Sequence, residues 1–473
     1  MNNDVGSSKK NGKIIIGIIG LIICIVTSIL IASISPLSYS IMFLIPLIYG
    51  FLTFFPGQLL KYISWSPGII CFMSVSFIRY FITPLVTALS GMHTVTEGRY
   101  TSDQYYTTAT FLLLYEMIIV YFIAFWTLRK QKFKQTRVVD SLVTKKSQFI
   151  IIVFILIAIL IVLINPSVLR NYNFVFTPAN NLMNSEDYSH FGFLTLFINT
   201  AKLLIPLLFI YYGKMFYDKT QKFTPVILAL FPSFIIIMFA EGNRRGALIV
   251  PFILTLLISI KMFPKYRRRI LVLMGGTAVS ILLYMTMQKS IVSQSIETSM
   301  LKDQINWFAT YLDSYFAFIK HTAIAIETSI RYDETLGVST LINDIFYPFP
   351  YFGGELIDGN ARSTIFFNYT FYNNTLITDR VIPSVGQGTI YGGYIFSPLF
   401  SAIFTKLALE ADGKYKLSKD IFEKFLWGYT AWLFASSINA NINLLTQTLF
   451  QVILPLVLVY VIYKRVALRK YQQ

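Results

Sequence analysis

The stretch Ile14-Ile-Ile-Gly-Ile-Ile-Gly-Leu-Ile-Ile-Cys-Ile-Val-Thr-Ser-Ile-Leu-Ile-Ala-Ser-Ile34 decides the fold. It carries no charged side chain, and a helix of this length crosses the ~30 Å hydrocarbon core of a bilayer. A cleaved signal peptide has a shorter apolar region of about 15 residues or fewer. We therefore expect an uncleaved first transmembrane helix, with Lys9, Lys10 and Lys13 holding the N-terminus in the cytoplasm.

Similar apolar runs recur along the 473 residues, of which 55% are hydrophobic and only 13% charged. Counting the first, there are twelve, near 14–34, 37–55, 66–90, 107–128, 148–165, 191–212, 224–241, 246–262, 270–287, 389–407, 425–440 and 443–462. The sequence thus predicts an all-α, polytopic bundle of about twelve transmembrane spans.

The basic residues predict the orientation of these spans. Segments on the predicted cytoplasmic side hold 28 of the 40 lysines and arginines and seven of the 23 acids. This is the asymmetry of the positive-inside rule, so we expect both termini in the cytoplasm. Because the basic residues form short clusters between apolar runs, the net charge of +17 indicates membrane orientation and not nucleic-acid binding.

Three regions follow from this topology. Residues 1–287 hold spans one to nine, residues 288–388 form one large extracytoplasmic loop, and residues 389–473 hold spans ten to twelve and a cytoplasmic tail. Apolar residues recur at helical spacing from Leu301 to Ile330, which predicts an amphipathic helix lying at the membrane interface. The large loop is therefore expected to be partly helical.

The sequence contains none of the common motifs for binding a nucleotide or zinc or for serine hydrolase chemistry. Phosphate loops, HExxH zinc sites and GxSxG elbows are missing, and the three histidines are far apart in sequence. Both cysteines, Cys24 and Cys71, lie within apolar runs. We expect neither a metal nor a cofactor, and we place any chemistry on the outer face.

One predicted outer turn, Glu241-Gly-Asn-Arg-Arg-Gly246, carries a doubled arginine between two spans. Guanidinium groups match phosphate geometry, and the following helix start offers free backbone N–H groups, so Arg244 and Arg245 are candidates for holding a lipid pyrophosphate. Glu241 either activates a hydroxyl or pairs with these arginines. The alternative for both arginines is anchoring in lipid headgroups.

Three charged residues fall inside predicted spans at similar depth: Arg79, Glu116 and Lys202. Buried charges are costly unless they are paired or face water. One interpretation is a structural ion pair between Arg79 and Glu116. The other is that these charged residues line the base of a cavity open to the outer face, where Arg79 or Lys202 binds substrate.

The large loop adds Lys320, His321, Arg362 and Arg380. His321 has the chemistry of a general base, and the other three suit an anionic substrate. The alternative for His321 is a surface residue of the amphipathic helix.

The layout resembles that of the oligosaccharide repeat-unit polymerases of the Wzy type, which share a fold class with the O-antigen ligases. The features that carry the resemblance are the outer Arg244-Arg245 turn, the single large outer loop, and the glycine-rich stretch Pro383-Ser-Val-Gly-Gln-Gly-Thr-Ile-Tyr-Gly-Gly393 before the next span. The resemblance implies a bundle of the lipid-dependent glycosyltransferase type, GT-C-like, in the plasma membrane of a bacterium. Such a protein joins undecaprenyl-pyrophosphate-linked glycans into capsular, exopolysaccharide or O-antigen polymer at the outer face of that membrane. It also implies functional arginines in outer loops, here Arg244, Arg245, Arg362 and Arg380, and partners in a flippase and a chain-length regulator.

Two departures from the family pattern are visible. Some family members carry an arginine followed by ten residues and a glycine, and Arg380 does not fit this pattern. The first outer loop lacks Asp-x-Asp, and this absence favours a metal-free polymerase or ligase. The alternatives are an O-antigen-type ligase, a lipid-linked oligosaccharide flippase or transporter, and a non-catalytic scaffold. A transporter usually shows two related halves and short loops, and this sequence shows neither.

Overall fold

The computed structural model describes residues 4–55, 65–91, 101–131, 145–174, 192–241, 249–281, 284, 301–349, 359–373 and 380–468. This part of the chain is helical apart from one antiparallel pair of three-residue strands, β1 (Tyr172–Phe174) and β2 (Phe239–Glu241). The helices are α1 (Asp4–Ile34), α2 (Leu44–Phe54), α3 (Pro67–Ser90), α4 (Asp103–Lys130), α5 (Lys145–Ile164), α6 (Gly192–Thr220), α7 (Thr224–Ile237), α8 (Ile249–Met262), α9 (Pro264–Ile281), α10 (Leu301–Phe316), α11 (Ile319–Arg331), α12 (Val338–Phe346), α13 (Ser363–Tyr372), α14 (Ser384–Phe396), α15 (Leu399–Leu417), α16 (Ile421–Ser436) and α17 (Ile442–Arg465).

The apolar helices confirm the all-helical membrane class. Five of them are long and apolar enough to cross a bilayer: α1, α3, α4, α6 and α17. Two bent pairs, α8 with α9 and α14 with α15, bring the total to seven if each pair is one span. Each of the twelve predicted runs contains a described helix, and the number of twelve crossings stays a prediction.

The tenth predicted span is not one helix. In place of a continuous segment at 389–407, α14 and α15 meet at 109°. Glycine allows this bend: Gly393 takes φ 73° and ψ −172°, a backbone conformation that side chains with a Cβ rarely adopt. Gly388 also lets the Ser397 carbonyl approach so closely that a Cβ at position 388 would overlap it.

The described residues divide into two compact units. Unit 1 comprises residues 1–132, 298–410 and 431–447, and unit 2 comprises residues 133–297, 411–430 and 448–473. Within unit 2, α6 packs on α7 and α5 packs on α6, and an added Cβ at Gly213 would collide with Ala229.

Unit 1 is built around α11, which packs against α4, α13 and α14. The prediction of one interfacial helix from Leu301 to Ile330 was wrong in two respects. The helix divides into α10 and α11 at Ala317, whose φ is 44°, and α11 is buried from Ile319 to Ile326. The apolar face that suggested an interfacial helix is in fact covered by other helices, including the candidate span α4.

We predict that Gly388→Ala destabilises the protein, by about 1–3 kcal/mol, because the new methyl group must displace the Ser397 backbone. The matched control is Gly276→Ala in α9, where a Cβ meets no atom within 4 Å and alanine favours the helix. Thermal unfolding of both variants in detergent measures the difference. Equal midpoints for the two variants would contradict the close approach at Gly388.

Candidate functional site

Three of the residues singled out from the sequence lie around one ring in unit 1, that of Phe371 near the end of α13. The Lys320 Nζ and the Arg380 Cζ each lie 5.4 Å from the centroid of this ring, and the His321 ring centroid lies 5.3 Å from it. Cations at this distance are attracted by the aromatic face. We call Asp313, Lys320, His321, Phe371 and Arg380 the Phe371 cluster.

His321 is oriented by Asp313. Its Nδ1 lies 3.1 Å from Asp313 Oδ2, and its side chain is 1% exposed, so it is not the surface residue that the alternative interpretation suggested. A carboxylate only accepts hydrogen bonds, so this contact places a proton on Nδ1. Nε2 is itself buried, and among the described residues it has no hydrogen-bond partner, so the protein does not use its lone pair.

Asp313 as the partner of His321 was not foreseen from the sequence. The two residues are eight positions apart, which on a continuous helix would separate them by ~12 Å along the axis. The break at Ala317 brings them together. A sequence pattern of helical periodicity carries no signal for such a break.

Arg380 is held by Asn368, a buried residue of α13. The Asn368 Oδ1 accepts the Arg380 backbone N–H at 2.9 Å, and the Asn368 Nδ2 donates to the Arg380 carbonyl at 3.3 Å. The Arg380 Nε donates to the Tyr372 hydroxyl. Burial lowers the pKa of this guanidinium from its ordinary value, so its charge lies in a partly dehydrated place where an anion is strongly attracted.

Lys320 is 4% exposed, and burial lowers the pKa of its ammonium group to about 8, against a smaller opposing effect of Asp313. The group is therefore charged at pH 7 and loses its proton as the pH rises through about 8.

Arg362 does not join this cluster. It precedes α13, whereas Phe371 lies eight residues into that helix, ~12 Å along its axis. Its guanidinium stacks 3.8 Å from the Tyr347 ring centroid, and its Nε donates to the Gly359 carbonyl at 2.7 Å.

Lys202 and the backbone of Glu241 belong to unit 2. The Lys202 Nζ donates to the Phe239 carbonyl in β2 at 2.6 Å and lies 4.7 Å from the Tyr172 ring centroid. Glu241 ends β2, in register with Tyr172, but its side chain lies outside the described part of the structure. Arg244 and Arg245 also lie outside the described residues.

The structural ion pair considered from the sequence is confirmed. The Arg79 Nη2 lies 3.0 Å from Glu116 Oε2, and both side chains are 0% exposed. The Arg79 Nη1 donates to the Ile438 carbonyl at 2.9 Å, and the Ser401 hydroxyl donates to Glu116 Oε1. These contacts commit Arg79 to the protein interior, which agrees with the structural alternative; substrate binding by Arg79 stays an untested prediction.

A second buried acid, Asp344 of α12, was missed from the sequence. Both of its carboxylate oxygens lie 3.3 Å from the Ser363 N–H at the start of α13, and the Tyr391 hydroxyl donates to Oδ2. Gln387 donates to that hydroxyl at 2.9 Å. Burial raises the pKa of Asp344, and these hydrogen bonds oppose the rise. Asp344 thus caps α13 and fixes Tyr391.

Tyr391 forms part of the wall of an open pocket of about 430 Å³ in unit 1. The pocket lies between the end of α11 and the glycine bend of α14, and its lining includes Ser329, Asp333, Thr389, Gly393 and Tyr394. One carboxylate, several hydroxyl groups and two tyrosine rings make this a surface suited to a neutral ligand rich in hydroxyl groups.

Within the described residues, no group of three or more histidine, cysteine, aspartate or glutamate side chains could hold a metal ion. No protein-family model matches the chain, and neither a curated protein nor a solved structure shows significant similarity to it.

We predict that Glu116→Gln lowers stability by about 3–5 kcal/mol, because it leaves the Arg79 charge buried without its counter-charge. The double variant Arg79→Met with Glu116→Met should recover most of the loss. Folded yield and thermal midpoint in detergent measure the effect. Glu410→Gln is the control, since its pair with Lys406 is exposed and long at 4.0 Å. A Glu116→Gln protein as stable as Glu410→Gln would contradict a structural role for the pair.

We also predict that Lys320→Met is more stable than the wild type at pH 7, on the order of 2–3 kcal/mol, because burial disfavours the ammonium form. The folded pKa of about 8 lies below the ordinary 10.5, so the unfolded chain binds more protons between these values and wild-type stability rises with pH there. The advantage of the variant should therefore shrink from pH 8 to 10.5 in thermal unfolding. An advantage that does not change with pH would show that the charge of Lys320 is not the cause.

Proposed function

We propose that this chain is a membrane glycosyltransferase that polymerises undecaprenyl-pyrophosphate-linked oligosaccharide repeat units at the outer face of the plasma membrane. The observation that carries the proposal is the Phe371 cluster, where two cations and an oriented histidine of the predicted outer segment meet. The proposal includes a GT-C-like bundle of about twelve spans with both termini in the cytoplasm.

The cluster suits the chemistry of glycan transfer. A hydroxyl group of one repeat unit attacks the anomeric carbon of another glycan, the bond from that carbon to the pyrophosphate oxygen breaks, and undecaprenyl pyrophosphate leaves. His321 Nε2 accepts the proton of the attacking hydroxyl, and Asp313 stabilises the imidazolium ion. Lys320 and Arg380 stabilise the charge on the departing pyrophosphate.

The pocket beside Tyr391 suits the sugar that attacks and not the lipid phosphate. Its lining carries the Asp333 carboxylate, which repels a phosphate but accepts hydrogen bonds from sugar hydroxyls. Ser329 lies eight residues beyond His321 along α11, ~12 Å along the axis, so the glycan would extend along this helix. Arg244 and Arg245 remain candidates for further contacts with a pyrophosphate.

We predict that deletion of the gene leaves single repeat units in place of polymer on the cell surface. His321→Ala and Arg380→Ala, at normal membrane levels, should each lower polymerisation by about 10²-fold or more. Arg331→Ala is the control, because Arg331 is an exposed arginine of α11 paired with Glu327 at 3.2 Å, and we expect wild-type chain length. Glycan length on gels measures all four strains.

The outcomes separate the alternatives. Long but unattached polymer in the deletion strain would indicate a ligase, and lipid-linked units accumulating inside the cell would indicate a flippase. Full-length polymer in both the His321→Ala and Arg380→Ala strains would exclude the Phe371 cluster as the site.

A further inference from the structure

Helix α9 in unit 2 begins with an unfavourable arrangement of charge. Arg267, Arg268 and Arg269 lie at its start, directly after the 113° bend from α8, and the first turn contains no acid. The start of a helix carries a partial positive charge, so cations there are repelled and anions are attracted. Among the described residues, neither Arg268 nor Arg269 forms an ion pair with an acidic side chain.

A pocket of about 390 Å³ lies at this place. It is lined by Phe223, Arg268, Arg269, Val272 and Leu273, and its wall is apolar, so the two arginines contribute their aliphatic carbons to it. Val272 is 71% and Leu273 47% exposed. On a helix of a membrane protein, such side chains face lipid acyl chains.

The aromatic side of the pocket positions one of the two arginines. The Arg269 Cζ lies 5.4 Å from the Phe223 ring centroid and 5.7 Å from that of Tyr266. These two rings pack at 4.8 Å, and the Tyr266 hydroxyl donates to the Gln221 carbonyl at 3.1 Å. Because the rings are fixed to each other and to the backbone, the guanidinium is directed with little loss of side-chain entropy.

We propose that this pocket binds one anionic phospholipid, with an acyl chain in the pocket along Phe223, Val272 and Leu273 and the headgroup phosphate outside it, at the guanidinium groups of Arg268 and Arg269. The two arginines supply the donors that match a phosphate. The apolar lining favours a lipid over a soluble anion, since free phosphate gains nothing from Val272 and Leu273. A lipid with a net negative charge also neutralises the positive charge of the arginines at the helix start, and a zwitterionic lipid neutralises it less. This site is independent of the proposed enzymatic function.

The test uses the purified full chain in detergent, titrated with phosphatidylglycerol or phosphatidylcholine, with bound lipid counted by native mass spectrometry. We expect at least one phosphatidylglycerol bound at least tenfold more tightly than phosphatidylcholine. Arg268→Gln with Arg269→Gln should lose this preference. The matched control is Lys219→Gln with Lys222→Gln, which removes the same charge from exposed positions outside the pocket lining and should keep the preference.

A second variant, Val272→Trp, fills the pocket while keeping both arginines, and it should also weaken phosphatidylglycerol binding about tenfold. Equal binding of the two lipids by the wild type would overturn the proposal. So would an equal loss in the lysine control, which would indicate general attraction between charges. Displacement of the lipid by millimolar inorganic phosphate would likewise overturn it, because the site would then recognise a free anion.

Discussion

The rest of unit 1 depends on one buried ion pair, Arg79 with Glu116. Two charges at zero exposure are costly unless they lie close together and receive further hydrogen bonds. Groups from other helices add to this pair: Ser401 of α15 donates to Glu116, and Ile438, at the break before α17, accepts from the Arg79 Nη1. These hydrogen bonds hold α3 and α4 against α15 and the segment before α17, because the buried charges need the groups that those segments supply.

The same requirement explains where the helices break. A break frees backbone groups that a bilayer interior cannot hydrate, so another part of the protein must bind them. The Ile438 carbonyl, freed near one such break, accepts from both Arg79 and Ser384. At the start of α17, the Ile442 N–H donates to Gln387 Oε1 at 2.6 Å. At both places a side chain from another helix binds the backbone group that the break leaves without a helical partner.

Run length and charge explain why much of the fold could be predicted from the sequence. An apolar run must be helical to satisfy its own backbone, and this rule correctly placed a helix in every predicted run. It does not give angles, so the 109° bend after Gly393 was missed. Among the site residues, the Arg79–Glu116 pair could be predicted because a lone buried charge is costly. Asp313 and Asp344 could not, because a helix break brings Asp313 to His321 and a long-range contact brings Asp344 to Ser363, and neither leaves a periodic pattern in the sequence.

The buried acids Glu116 and Asp344 and the buried bases Lys320 and His321 of unit 1 differ in how they are bonded, and this difference helps to choose the candidate for chemistry. Glu116 and Asp344 accept several hydrogen bonds each and tie helices together, which is sufficient reason for them to be present. His321 has one nitrogen without a partner among the described residues, and Lys320 carries a charge that burial disfavours. Neither feature stabilises the fold. Unfavourable buried groups of this kind often act on a ligand, so the Phe371 cluster is a better candidate for chemistry than the more extensively bonded Glu116 and Asp344.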